Sequence, residues 1–210
     1  MSNQIFFSRL NKLRTVLSAQ GLDGIFITNL TSIRYICGFT GSAASCLITQ
    51  DDSYFISDGR YDVQSGEQVK NMERYIDFGT HISIVTKNNL IQNGLNLAFE
   101  SDHTSVSQYR AMTDSFPKVD WKSTSMLMEN LQAVKDESEL DAIRTAVEIT
   151  DAVYAEILPM LKPGTTEKEV AHHLVLRYRQ ASDGEAYSPI VTGGPNGAMP
   201  HAVPFPYTPW

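Results

Sequence analysis

The sequence predicts an α/β fold in two parts, a small domain of alternating strands and helices followed by a mainly helical segment. Its 210 residues, 42% of them hydrophobic, can bury one sizeable core, or one core and part of another. Short β-rich runs alternate with helical patterns in the first part. From about Lys135 onward this alternation is replaced by long stretches of helical periodicity. We therefore place the first domain at residues 1–130 and the second part at 131–210.

The first domain begins with a predicted helix over residues 3–20, where apolar residues recur at helical spacing and Gly21 supplies a terminal cap. Four β-rich runs then predict strands, and the second and third are joined by a short Asp51-Asp52 turn typical of a hairpin. The predicted strands are Gly24–Thr28, Ser45–Thr49, Tyr54–Ser57 and Leu95–Glu100. A helix over Ser105–Phe116 and a short strand around Trp121 complete the pattern.

The second part begins with a long amphipathic helix. Asp136 and Glu139 have capping-box spacing at its start, and Pro163-Gly164 predicts its end. One face carries an apolar stripe, which we expect to stay exposed unless another surface covers it. The stripe residues are Leu140, Ile143, Val147, Tyr154, Ile157 and Leu161.

A second helix follows directly, again with a capping box, formed by Thr166 and Glu169. Its narrower apolar face consists of Val170, Leu174 and Tyr178, and Gly184 breaks the pattern. Residues 186–192 then predict a strand that leads into the glycine- and proline-rich stretch GGPNGAMPHAVP.

Composition and charge argue against nucleic-acid-binding, membrane-spanning and secreted proteins. With a net charge of −7 and scattered Lys and Arg, we expect neither nucleic acid nor a membrane as a partner. The N-terminal stretch MSNQIFFSRLNKLR has neither the apolar length nor the pattern of a signal peptide or a membrane span. Cys37 and Cys46 lack the spacing of a metal or redox motif, so we expect buried, reduced thiols in a cytoplasmic protein.

The five histidines are the candidate chemical groups, because no strong self-contained catalytic motif is present. His172 and His173 are adjacent on a helix, so their side chains diverge by about 100° and favour a solvated face over a shared metal. His81 and His103 stand in isolated polar contexts and are interpreted as structural or surface residues.

His201 has a different setting. It lies among three glycines, which permit close backbone approach or positive φ, and among prolines that stiffen the loop. These residues are Gly193, Gly194, Gly197, Pro195, Pro200 and Pro204. Local sequence leaves two interpretations open, a loop that presents its histidine to a ligand or a surface turn with an incidental histidine.

Three groups of residues resemble one known family. The stretch EAYSPIVTGGPNGAMPHAVP resembles the substrate-binding loop of the pita-bread metallopeptidases, which include aminopeptidase P, prolidase, methionine aminopeptidase and the non-peptidase creatinase. The helices before it resemble the opening of that catalytic domain at Lys135, Glu139, Leu140, Pro163, Gly164, Thr166 and Glu167. Upstream, Gly38–Ser42 and Asp58–Tyr61 resemble the G-F-T-G-S and D-x-R-Y signatures of the creatinase-type N-terminal domain.

This resemblance implies a creatinase-type N-terminal domain, a mixed sheet flanked by helices, followed by the leading part of a pita-bread α+β domain. It further implies a cytoplasmic, homo-oligomeric Xaa-Pro aminopeptidase or dipeptidase that hydrolyses the N-terminal Xaa-Pro bond of peptides with proline at the second position. A full-length member is expected to use two divalent ions, commonly manganese, cobalt or zinc. By the same resemblance His201 orients the substrate without binding metal, and Gly193 and Gly194 line the substrate.

The sequence departs from the family pattern after His201. There the family has a strand that leads to aspartate, histidine and glutamate metal ligands, whereas this chain reads PFPYTPW. We therefore expect no metal ligand in this chain, and expect a truncated and inactive form of the peptidase. A creatinase-like amidinohydrolase and a non-catalytic peptide-binding or oligomerisation module remain as alternatives.

Overall fold

The computed structural model describes residues 4–206, which form two compact units that divide between Val134 and Lys135. The first contains a six-stranded mixed sheet with helices, and the second is built on two helices. The predicted α/β class is therefore confirmed.

The first unit alternates helices and strands along the chain. Its elements are α1 (Gln4–Ala19), β1 (Gly24–Ile27), α2 (Leu30–Cys37), β2 (Ser45–Thr49), β3 (Ser53–Ser57), a 3₁₀ turn (Gly59–Tyr61), α3 (Asp62–Gln68), β4 (Glu73–Ile76), α4 (His81–Lys87), β5 (Asn96–Glu100), α5 (Val106–Ser115), β6 (Asp120–Thr124) and α6 (Leu127–Ala133). Every strand predicted for this unit is present, and so are both predicted helices. Sequence reasoning missed β4, α2, α3, α4 and α6, which are all short and carry weak periodicity.

The strand order is β4-β3-β2-β1-β5-β6. Strand β2 is antiparallel to both of its neighbours, which confirms the predicted β2–β3 hairpin, and the other pairs are parallel. Gly24 in β1 allows close strand pairing, because a Cβ there would stand 2.4 Å from the carbonyl oxygen of Ile48.

The central strands divide their side chains between two cores. In β1, Ile25 and Ile27 face a core built with α1 and α2, while Phe26 faces a second core built with α4 and α5. All four residues of β1 are buried, as expected for a strand covered on both faces. Cys37 and Cys46 are buried free thiols, which confirms their predicted burial. Burial raises the pKa of the Cys46 thiol well above its ordinary value.

The second unit contains α7 (Glu137–Ile157), a 3₁₀ turn (Leu158–Met160), α8 (Glu167–Ala181) and a 3₁₀ turn (Gly194–Ala198). Both predicted capping boxes are present, one at Asp136 with Glu139 and one at Thr166 with Glu169. Helix α7 ends earlier than Pro163-Gly164, because the chain tightens into the 3₁₀ turn that contains Pro159.

The apolar stripe predicted for this unit is largely exposed: Ile143, Val147, Tyr154 and Leu161 are 40–57% exposed, whereas Ile157 is buried. Helix α7 instead packs on α8 through a core of Val153, Ile157, Val170 and Leu174. The predicted strand at 186–192 is wrong, because these residues form irregular backbone. A strand needs a neighbour for its backbone hydrogen bonds, and no strand occurs in the described part of this unit, residues 135–206.

Candidate functional site

His201 lies in a tight turn near the end of the second unit. The N–H of Ala202 donates to the carbonyl oxygen of Met199 at 3.2 Å, so Pro200 and His201 are the two central residues. Proline suits the first central position because its φ is already fixed near the value that the turn requires. The His201 side chain is exposed, so its ring is accessible to a ligand.

The two glycines predicted to line the substrate adopt different conformations. Gly193 is buried with extended backbone, and its N–H donates to Oε1 of Glu167 at 2.6 Å. Gly194 has a φ of +53° and begins the 3₁₀ turn that runs to Ala198. Glycine is favoured at 194 by this conformation, because other residues rarely adopt positive φ.

We define residues 193–205 as the His201 loop. Glu167 accepts hydrogen bonds from both ends of the His201 loop. Besides Gly193, its carboxylate accepts from Nδ2 of Asn196 at 2.7 Å and from the N–H of Phe205 at 2.9 Å. The carboxylate lies in the first turn of α8, and the residue is only 1% exposed. One buried carboxylate thus connects the start and the end of the His201 loop to the helix.

These donors determine the charge state of Glu167. The N–H of Phe205, with that of Gly193 and the amide of Asn196, lowers the pKa of Glu167 and outweighs the opposing effect of desolvation. The carboxylate is therefore ionised at neutral pH, and charge-assisted hydrogen bonds of this kind are stronger than neutral ones.

Sequence reasoning placed Glu167 in a family signature but assigned it no role in the site. The signal available was its place in the first helical turn, where Glu169 already supplies the capping box. In the structure the other glutamate of that turn, Glu167, accepts hydrogen bonds from the His201 loop.

The remaining histidines have separate surroundings. His172 is exposed on α8, and Nε2 of His173 lies 3.6 Å from Oε2 of Glu156. Nε2 of His103 lies 3.3 Å from Oε1 of Glu129, and His81 pairs with Ser45. Among residues 4–206 no group of three or more His, Cys, Asp or Glu side chains could hold a metal ion. The described residues therefore do not fit the dinuclear metal centre that the resemblance implies.

Two family models match the chain and together cover most of it. The Creatinase/Prolidase N-terminal domain model matches residues 9–134, and the model of metallopeptidase family M24 matches residues 141–208. The chain belongs to the creatinase/prolidase family. The sheet-containing unit of this creatinase/prolidase chain corresponds to the first model, and the unit that carries the His201 loop corresponds to the M24 model.

Several relatives resemble the chain over most of its length. The uncharacterized peptidase YqhT of Bacillus subtilis (strain 168) is 32% identical over 197 residues, which are 93% of this chain and 56% of the relative. The structure of an Xaa-Pro dipeptidase from Bacillus anthracis matches with a TM-score of 0.88 and 32% identity, over 97% of this chain and 57% of that one. An X-Pro aminopeptidase from Thermotoga maritima MSB8 matches with a TM-score of 0.79 and 29% identity, over 90% and 55%.

The creatinase/prolidase chain thus spans little more than half the length of these relatives. Among residues 4–206 no helix combines the length and the apolar character needed to cross a membrane.

Proposed function

We propose that this chain is the N-terminal domain and substrate-orienting part of an Xaa-Pro peptidase, which hydrolyses the N-terminal Xaa-Pro bond of peptides. The observation that carries the proposal is the match to the Bacillus anthracis Xaa-Pro dipeptidase over 97% of this chain. The X-Pro aminopeptidase match supports the same reaction class.

His201 would orient the substrate. Its exposed imidazole can donate or accept one hydrogen bond at a peptide carbonyl or amine, and the turn at Met199–Ala202 limits its motion. Gly193 and Gly194 would lie beside the same peptide. An Xaa-Pro bond is a tertiary amide without an N–H, so recognition has to rely on the carbonyl groups and on the bent backbone that proline imposes.

The other expected properties belong to the same proposal. We propose a homo-oligomer in the cytoplasm, where buried thiols such as Cys37 and Cys46 stay reduced. Two divalent ions are expected for a full-length member. Since the described residues offer no such centre, we expect the 210-residue chain alone to be inactive toward Xaa-Pro peptides.

Two measurements test this proposal. The first is nuclear magnetic resonance of the chain titrated with Ala-Pro amide and, as a matched control, Ala-Ala amide. We expect saturable shifts of the His201 ring signals with Ala-Pro amide only, and loss of binding in His201→Ala but not in His172→Ala. Equal responses to both peptides would contradict the proposed specificity.

The second measurement is hydrolysis of Ala-Pro-Pro by the purified chain with added manganese. We expect no turnover above that of the buffer. Turnover that a chelator abolishes would show that this chain supplies its own metal centre and would contradict the expected inactivity.

A further inference from the structure

A cavity of about 290 Å³ lies in the first unit, beside the carboxyl end of β1. We call it the β1 cavity. Buried apolar side chains of Phe26 and Met112 form part of its wall, and the polar side chains of Thr28, Ser45, His81 and Gln108 form another part. Its volume equals that of roughly ten liquid water molecules, at the small end of the range for ligand sites.

The β1 cavity lies where open α/β sheets commonly bind ligands. Thr28 directly follows the carboxyl end of β1, and Ser45 begins the antiparallel strand β2 beside it. The chain passes from β4 at one edge of the sheet to β5 on the other side of β1. Such reversals of strand order leave a crevice outside the carboxyl ends of the strands, where ligands are found in this class of fold.

Two polar groups in the cavity wall are held by other hydrogen bonds. Oγ of Ser45 and Nδ1 of His81 are 2.7 Å apart, so this bond engages one ring nitrogen and leaves Nε2 for a ligand. Oε1 of Gln108 accepts from the N–H of Ser105 at 2.8 Å in the α5 capping box, which fixes the amide and leaves its NH₂ group as a donor.

The cavity wall is uncharged at neutral pH. None of the residues that line it is Lys, Arg, Asp or Glu. Burial lowers the pKa of His81, against the smaller opposing effect of the Asp58 charge, so its imidazole is neutral near pH 7. A charged ligand would lose hydration without gaining an ionic partner, and an uncharged one would not bear this cost.

We propose that the β1 cavity is a binding site for a small uncharged aromatic amide. The flat ring would pack against Phe26 and Met112, and the amide group would bond to Nε2 of His81 and to the side-chain NH₂ of Gln108. This site lies wholly within the first unit, so the inference is independent of the proposed peptidase function.

The test uses three probes that share a benzene ring and differ in charge, namely benzamide, benzoate and benzylamine. Each is titrated into the whole chain at neutral pH while the backbone amide signals are followed by nuclear magnetic resonance. We expect benzamide to give saturable shifts at Ser107 and Ala111, and both charged probes to bind at least tenfold more weakly. Absence of saturable shifts with benzamide, or equal binding of benzoate, would overturn the proposal.

Three variants locate the binding. Ala111→Leu fills the cavity from an exposed position on α5 and is expected to abolish benzamide binding. Ser115→Leu, on the same helix but outside the cavity wall, is the matched control and should bind as the original chain does. Ser45→Ala, which removes the partner of His81, should weaken binding severalfold. Unchanged binding in Ala111→Leu, with an otherwise preserved amide spectrum, would refute the assigned location.

Discussion

Replacement of Glu167 by glutamine should loosen the His201 loop while leaving α8 intact. The carboxylate accepts three hydrogen bonds, from Gly193, Asn196 and Phe205. A glutamine has a single acceptor oxygen, and its NH₂ group would face at least one of these donors in either orientation of the amide. One or two of these donors would therefore lose their acceptor, and those that remain bonded would lose the charge that strengthens the bond.

The size of the effect follows from those contacts. Loss of a hydrogen bond to a charged group corresponds to about a tenfold to hundredfold change in a local opening equilibrium. We therefore expect the backbone amides of Gly193 and Phe205 to exchange with solvent about ten to one hundred times faster in Glu167→Gln. Amides inside α7 should exchange as before, because that helix contributes no donor to the carboxylate.

Glu169→Gln is the matched control on the same helical turn. Oε2 of Glu169 accepts from both the N–H and the hydroxyl group of Thr166, at 2.8 and 2.9 Å. A single amide oxygen can retain both bonds, so this substitution should leave exchange in the His201 loop almost unchanged.

The pH dependence gives an independent check. Because the pKa of Glu167 is lowered in the folded protein, its contribution is complete above the unfolded carboxyl value of about 4.3 and is lost as the pH falls through the lower folded value. Loop protection should decline over that acidic range in the original chain but not in Glu167→Gln. Equal loop protection in the two proteins at neutral pH, or an equal loss in Glu169→Gln, would refute the assigned role of Glu167.

Three further predictions concern association, pH and domain boundaries. Burial of the exposed half of Ile143, Val147, Tyr154 and Leu161 against a second copy is worth about 3–6 kcal/mol per chain, so the chain should self-associate. The double variant Ile143→Gln, Val147→Gln should show a lower average molar mass in light scattering. A monomeric state of the original chain would contradict this prediction. Burial raises the pKa of Glu100, so its contribution to the free energy of unfolding is present below the pKa of the unfolded state and is lost as pH rises through the pKa of the folded state. Urea denaturation should show that loss in the original chain but not in Glu100→Gln. Glu73→Gln is the exposed control. A protein that ends at Val134 should unfold cooperatively when followed by circular dichroism. A protein that ends at Glu129 should be less stable, because the shorter chain cuts α6 and removes Leu131 from the first core. Failure of both proteins to fold would contradict the domain assignment.

Much of the first unit could be predicted from its sequence because strong local patterns agree with the tertiary structure there. Strands β1 and β2 are rich in apolar and β-branched residues, and both are buried on two faces. Strand β4, with the sequence ERYI, is a half-exposed edge strand with little apolar content, so nothing local distinguishes it from a loop.

In the second unit, the capping boxes predicted the helix starts correctly, but the sequence did not predict which surfaces pack together. Asp136 and Thr166 mark helix starts through contacts that span only three residues. Which face of α7 is buried depends on where α8 lies, and periodicity alone cannot supply that information. The contacts of Glu167 likewise join positions 26 to 38 residues apart, so a local pattern cannot reveal them.

The position of β1 in the sheet has a consequence for synthesis on the ribosome. Its neighbour β2 follows closely, whereas its other neighbour is β5, with Gly24 beside Leu97. During translation one side of this apolar strand therefore lacks a partner until β5, which ends at Glu100, has emerged, since domains fold as their residues become available. An unpaired apolar edge is a template for wrong pairing between chains. A pause in translation shortly before β5 would prolong that exposure, and the yield of folded protein should fall accordingly.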